Sequence, residues 1–207
     1  SQRLGMVSLD RPDYGLSLTL GGGDVTLLEL TGAYATLANG GRRVVPRTIL
    51  RIQDQTGHQL LTESTAPEME QVIDPRHAYL LTHILTDNEA RAPAFGPDSP
   101  LKLSFPAAAK TGTTDDYRDS WIIGYTPELV AGVWVGNNDN SPMRGVSGSE
   151  GAGPIWHDFV ARALASRVPI DFPIPGGLVT VDVCPISGQK HTRHCPEARQ
   201  ALFLVEY

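Results

Sequence analysis

Between Ala107 and Gly136 the chain passes through three short segments of small, branched and aromatic residues, Ala107–Thr111, Trp121–Thr126 and Leu129–Gly136. Such runs favour strands, and the last two are separated only by Pro127-Glu128, which forces them to turn back on each other. This predicts an antiparallel meander. A meander of this size has an apolar face to cover, and helical patterns stand on both sides of it in sequence. From Thr26, the residues Leu27, Leu30, Tyr34 and Leu37 recur at helical spacing, and Thr26 with Glu29 forms a capping box. Asn39-Gly40-Gly41 ends that helix. A second helix opens at Asp74-Pro75 with Ala78, Leu81, Ile84 and Leu85 on one face. A third, from about Pro154 to Ser166, carries Ile155, Trp156, Phe159, Val160, Ala163 and Leu164. The expected class is α+β, an antiparallel sheet flanked by helices.

Two further stretches organise the chain. Val44–Ile52, Asp54-Gln55-Thr56-Gly57 and Gln59–Leu61 read as a β-hairpin, whereas residues 88–106, with their prolines and Gly96, read as a long loop. Asn137–Gly153 is a second loop of Gly, Ser and Asn. Pro169, Pro173, Pro175, Gly176 and Gly177 then mark a linker, followed by a short β-like tail. The expected division is 1–168 for the main unit and 169–207 for linker and tail. The 207 residues carry a net charge of −6, which disfavours a phosphate-backbone ligand, so no nucleic acid is expected. No apolar run approaches the ~18 residues a membrane helix needs. The chain opens with Ser1-Gln2-Arg3-Leu4-Gly5, without an initiator Met, and this reads like the middle of a longer protein.

The chemistry concentrates in Lys110-Thr111-Gly112-Thr113. A cation and two hydroxyls can receive a carboxylate, and a glycine lets a ligand backbone lie close against the strand. Taken alone, the same tetrapeptide is also compatible with an ordinary strand end and an exposed lysine. Its context is more specific, because K-T-G is a signature of serine β-lactamases and penicillin-binding proteins.

The block from Phe105 through Lys110-Thr-Gly-Thr-Thr-Asp-Asp-Tyr-Arg-Asp-Ser-Trp121 to Gly136-Asn137 resembles the transpeptidase domain of class A penicillin-binding proteins. So do Val25–Gly41 and Ala152-Gly-Pro-Ile-Trp-His-Asp-Phe159. Arg91-Ala-Pro-Ala-Phe95 and the Cys-Pro dipeptides of the tail narrow the likeness to the 1C type. The resemblance implies a β-lactamase/transpeptidase-like fold and a D,D-transpeptidase that crosslinks peptidoglycan stem peptides by acyl transfer and binds β-lactams. It implies that Lys110 polarises the proton-transfer network beside the S-x-N serine, and that Thr111 and Thr113 take the ligand carboxylate. Gly112 would keep the strand open, and the Thr113 N–H would supply half of the oxyanion hole. Neither cofactor nor metal is expected. The parent protein would sit on the periplasmic face of the bacterial inner membrane, held by an N-terminal anchor and joined to a glycosyltransferase domain. The stem peptides, β-lactams and the N-terminal portion of the same protein are the implied partners.

The sequence also departs from the family pattern. The S-x-x-K nucleophile and the S-x-N motif should both precede K-T-G, yet no S-x-N triplet occurs. The two S-x-x-K matches, Ser99–Lys102 and Ser187–Lys190, fall in the Pro-rich loop and in the tail, and both read as chance. By itself this chain should therefore not acylate, because losing a nucleophile removes most of the catalysis of a unit that acts together. Two rival readings are a non-catalytic muropeptide- or partner-binding fragment and a serine β-lactamase-like hydrolase. Cys184, His191, His194 and Cys195 could form a disulfide, a zinc site or two free thiols; a periplasmic location would favour the disulfide. Asp115, Asp116 and Asp119 read as a solvated turn, His77, His83 and His157 as surface or structural histidines, and Tyr34, Trp121, Trp134 and Trp156 as core.

Overall fold

The computed structural model describes residues 1–49, 51–62 and 69–205. Its centre is an antiparallel sheet of three strands in the order β5-β6-β7, formed by Ala108–Thr113, Asp119–Tyr125 and Val130–Gly136. The register pairs Lys110 with Ile123 and Thr113 with Ser120, and on the other side Ile123 with Gly132. The predicted meander is present. Its first strand runs two residues further than expected, so the whole Lys110–Thr113 motif is strand.

Side chains alternate across this sheet and divide it between two helical layers. On one face Ala109, Ile122 and Ala131 pack with Leu101, Leu103, Trp156 and Val160, the last two from α4 (Ala152–Ala163). Gly124 belongs to this face: a Cβ there would stand 2.1 Å from Trp156 Cζ2, so the indole packs against bare backbone. The other face carries Ile123, Gly132 and Tyr125 and receives α1 (Leu27–Ala38) and α2 (Pro75–Thr86). A Cβ at Gly132 would meet Thr31 Oγ1 of α1, and Tyr125 bonds to Thr82 of α2.

Both helix starts follow the sequence signals. Thr26 Oγ1 accepts from the Glu29 N–H, Glu29 accepts from the Thr26 N–H, and Asp74 accepts from the Arg76 N–H. The buried faces differ from expectation. In α2 it is Ala78 and Thr82 that are buried, while Leu81 and Ile84 are exposed, because Thr82 can place its hydroxyl on the Ala78 carbonyl and on Tyr125. In α4, Trp156 and Val160 enter the core, whereas Ile155 and Phe159 remain more than half exposed.

Three other expectations are corrected. The 88–106 stretch is not all loop. Asn88–Phe95 forms α3, because Asp87 caps it by accepting from the Ala90 N–H, and Pro93 sits within it. The hairpin expected over 44–61 is present but shorter, β2 (Arg51–Gln53) with β3 (Gln59–Thr62) around the 54–57 turn, while Val44 belongs to a separate pairing, β1 (Arg42–Val44) with β4 (Met69–Gln71). Leu50, included in the expected strand, lies outside the described residues. Of the four aromatics expected in the core only Trp156 is fully buried, and Trp134 is 37% exposed. In the tail, β8 (Leu178–Val183) and β9 (Arg199–Leu204) make a sheet of their own, with Cys184 and Cys195 joined in a disulfide. Among the described residues no helix is long and apolar enough to cross a membrane.

Candidate active site

Among the described residues strand β5 pairs with β6 alone, which leaves its other edge without a strand partner. Backbone groups alternate between the two edges of a strand. The Thr114 N–H turns toward β6 and donates to the Asp119 carbonyl at 3.2 Å, so the Thr113 N–H faces the open edge. The Thr111 carbonyl faces that way too and receives the Lys110 ammonium at 2.5 Å. Lys110 is exposed and shares a face with Ile123 and Tyr125, the side of α1 and α2. Thr111 and Thr113 stand on the α4 side. The structure thus brings together at one edge a cation above the strand, two hydroxyls below it and an outward amide between them.

The end of the motif is held from both directions. Thr114 Oγ1 donates to Asp119 Oδ2 and accepts from the Asp119 N–H, both at 2.8 Å, and Trp134 Nε1 donates to Asp119 Oδ1 at 2.7 Å. Both carboxylate oxygens of Asp119 accept in these contacts. The intervening turn holds Asp116 and Tyr117 at positive φ, 59° and 56°, a conformation that Asp tolerates but that is costly for a bulky residue such as Tyr. The Met143 N–H on the Tyr117 carbonyl and the Arg118 guanidinium on the Asn140 carbonyl impose it here.

The 137–153 loop, read from sequence only as a connection, supplies partners the motif did not reveal. Gly148 N–H donates to Thr113 Oγ1 at 2.9 Å, and the buried Ser120 hydroxyl donates to the Ser147 carbonyl at 2.8 Å while accepting from the Ala152 N–H at 2.9 Å. The S-x-x-K matches take no part. Ser99 is buried in a turn, accepting from the Leu101 N–H, and Lys102 donates to the Pro97 carbonyl; Ser187 caps a turn in the tail. His77 and His83 lie on α2, and His157 faces its neighbour Asp158 at 3.3 Å.

The site is thus an exposed strand carrying K-T-G, backed by a helix on one face and two on the other. The penicillin binding protein transpeptidase domain model matches residues 13–160. Penicillin-binding protein 2D of Bacillus subtilis strain 168 is 33% identical over 193 residues, covering 91% of this chain and 27% of that protein. Penicillin-binding protein 1A of Aquifex aeolicus is 34% identical over 184 residues, covering 86% and 24%. Among solved structures, penicillin-binding protein 1A of Haemophilus influenzae superposes with a TM-score of 0.79 at 26% identity, covering 98% of this chain and 35% of that one. The Mycobacterium tuberculosis protein PonA1 in complex with penicillin V gives a TM-score of 0.69 at 25% identity, covering 83% and 50%. The chain belongs to the transpeptidase domain family of penicillin-binding proteins, and its fold is the β-lactamase/transpeptidase-like α+β fold. It spans about a quarter of the length of the curated relatives named here.

Proposed function

We propose that this chain forms the K-T-G wall of the cleft of a peptidoglycan D,D-transpeptidase, and that the attacking serine comes from an S-x-x-K segment N-terminal to it. The observation that carries this reading is the open edge of β5, where the outward Thr113 N–H lies between Lys110 on one face and the Thr111 and Thr113 hydroxyls on the other. Thr111 and Thr113 bind the carboxylate of a stem peptide or β-lactam. The Thr113 amide stabilises the carbonyl oxygen as it becomes an oxyanion, a donor of the kind worth roughly 3 kcal/mol in acyl-transfer enzymes. Gly112 leaves room for the ligand backbone. Lys110, whose ammonium among the described residues donates to a carbonyl on its own strand alone, can swing toward a hydroxyl that shuttles the proton. The complex of PonA1 with penicillin V supports β-lactam binding in this fold.

The division at 168–169 belongs to the same proposal. The family match ends at residue 160, and among the described residues β8 pairs with β9 and bridges only Lys190 of the same tail besides. Residues 169–207 are then a linker and the start of a further module, as in the 1C type, and the periplasmic disposition, membrane anchor and glycosyltransferase domain belong to the full-length protein. A disulfide in the tail agrees with an oxidising compartment.

The test is incubation with a fluorescent penicillin followed by intact-mass measurement, on this chain and on the full-length protein side by side. Labelling of the full-length protein alone supports the proposal. An adduct on Ser99, Ser187 or any other serine of this chain alone would overturn the placement of the nucleophile. No adduct on either, with reversible muropeptide binding, would favour the non-catalytic reading.

A further inference from the structure

The hydroxyls of Thr113 and Ser120, cross-strand partners in β5 and β6, grip the two ends of a single peptide unit. Ser120 Oγ donates to the Ser147 carbonyl at 2.8 Å, and the N–H of the same peptide, on Gly148, donates to Thr113 Oγ1 at 2.9 Å. The peptide is pressed onto the strand so closely that a Cβ on Gly148 would stand 2.6 Å from the Gly112 carbonyl oxygen and 3.0 Å from Thr111 Cβ. Its surroundings fix it further. The Ser147 carbonyl also accepts from the Gly151 N–H at 2.9 Å, and the Gly148 carbonyl accepts from Gly153 in the first turn of α4 at 2.9 Å. Ser120 is fully buried, whereas Thr113 is exposed and open to a ligand.

A hydroxyl has one proton to give and two lone pairs to offer, and a carboxylate can only accept. Left alone, Thr113 could turn its proton toward a neighbouring carbonyl and present a lone pair to the ligand. With Gly148 N–H occupying a lone pair, the proton is directed away from the loop, toward the open edge, and the donated bond polarises it further. We infer that Ser120 is a positioning residue for carboxylate recognition, holding the Ser147–Gly148 peptide so that Thr113 meets an anionic ligand as a hydrogen-bond donor. This rests on the reading of Thr113 as a carboxylate-binding residue, and it adds a specificity device that no part of the K-T-G motif contains.

The experiment compares, in the full-length protein, the second-order acylation rate with a penicillin bearing its free carboxylate and with the methyl ester of the same penicillin. The ratio of the two rates is read within each preparation, so a partly unfolded sample does not shift it. Wild type favours the free acid. Thr113→Val removes the donor and collapses the ratio. Ser120→Ala lowers the ratio about 10-fold, the scale of one hydrogen bond to a charged group, while Ser120→Thr, which keeps a hydroxyl, restores it. If Ser120→Ala does not fold, Ser120→Cys, with similar volume and a weaker donor, is read in the same way. A collapsed ratio in Thr113→Val with an unchanged one in the Ser120 variants overturns the positioning role alone. An unchanged ratio in Thr113→Val overturns the underlying reading of Thr113.

Discussion

The phenol of Tyr125 donates to Thr82 Oγ1 at 2.9 Å, because the single proton of Thr82 is already given to the Ala78 carbonyl at 2.9 Å. This pair fastens β6 to α2 beneath the strand that carries Lys110. Tyr34 and Phe172 close around the ring edge-on, with centroids 6.2 and 5.7 Å away, so the linker residue Phe172 is part of the same plug.

Tyr125→Phe keeps the ring packing and removes one buried hydrogen bond, so it should cost about 1 kcal/mol in denaturant unfolding. Burial pushes the Tyr125 phenol up to about 12 from an ordinary 10.0. A raised folded value means that the protonated form is favoured in the native state. Its contribution is complete below pH 10 and is lost as pH rises toward 12. The stability advantage of wild type over Tyr125→Phe should therefore shrink as pH rises above 10 and reverse before pH 12, so that melting temperatures plotted against pH cross within that window.

Acid should loosen both helix starts. Hydrogen bonds from Ser8 and from the Thr26 N–H hold Glu29 at about 2 instead of 4.5, and Arg76 holds Asp74 at about 2 instead of 3.8. Depressed carboxylates stabilise above their unfolded values and lose that contribution as pH falls through the folded ones. Stability should decline from about pH 4.5 toward 2, and Glu29→Gln should flatten the upper part of the fall in a melting-temperature profile.

Lys110→Ala in the full-length protein should cut β-lactam acylation by about 100-fold or more, the usual scale for a group in a proton-transfer network. The melting temperature should barely move, since Lys110 is exposed and, among the described residues, its ammonium bonds to the adjacent Thr111 carbonyl alone. An unchanged acylation rate would remove the role assigned to Lys110.

Replacing Cys184 and Cys195 by Ser should act locally. The crosslink joins the end of β8 to the turn before β9, and none of its ring lies in the β5-β6-β7 sheet. Hydrogen exchange should accelerate at β8 and β9 amides while protection in β5 to β7 holds.

What could be read from sequence was what is local. The Thr26-Glu29 capping box, the Asp74-Pro75 start and the β6-β7 turn each lie within a few residues, and each forms as its chemistry dictates. Misread stretches depended on distant partners or on a cap outweighed by prolines. β1 pairs with β4 rather than with its neighbour, and α3 exists because Asp87 caps it despite Pro93. The site divides in the same way. Lys110 to Thr113 was legible as a motif, whereas the contacts that orient it join residues 35 and 27 positions apart and leave no pattern in a window.

Gly124 and Trp156 stand 32 positions apart in the chain and share one volume: the indole fills the space in which a Cβ would stand 2.1 Å away. Neither can drift alone. A larger residue at 124 collides with the ring and also comes within 2.9 Å of the Ala108 carbonyl oxygen, and a smaller one at 156 leaves a void under the sheet, so each single step is penalised and loss of the ring alone does not make room for a side chain at 124. The glycine is the more tightly constrained of the two, because the backbone of the neighbouring strand excludes a Cβ there whatever ring stands at 156.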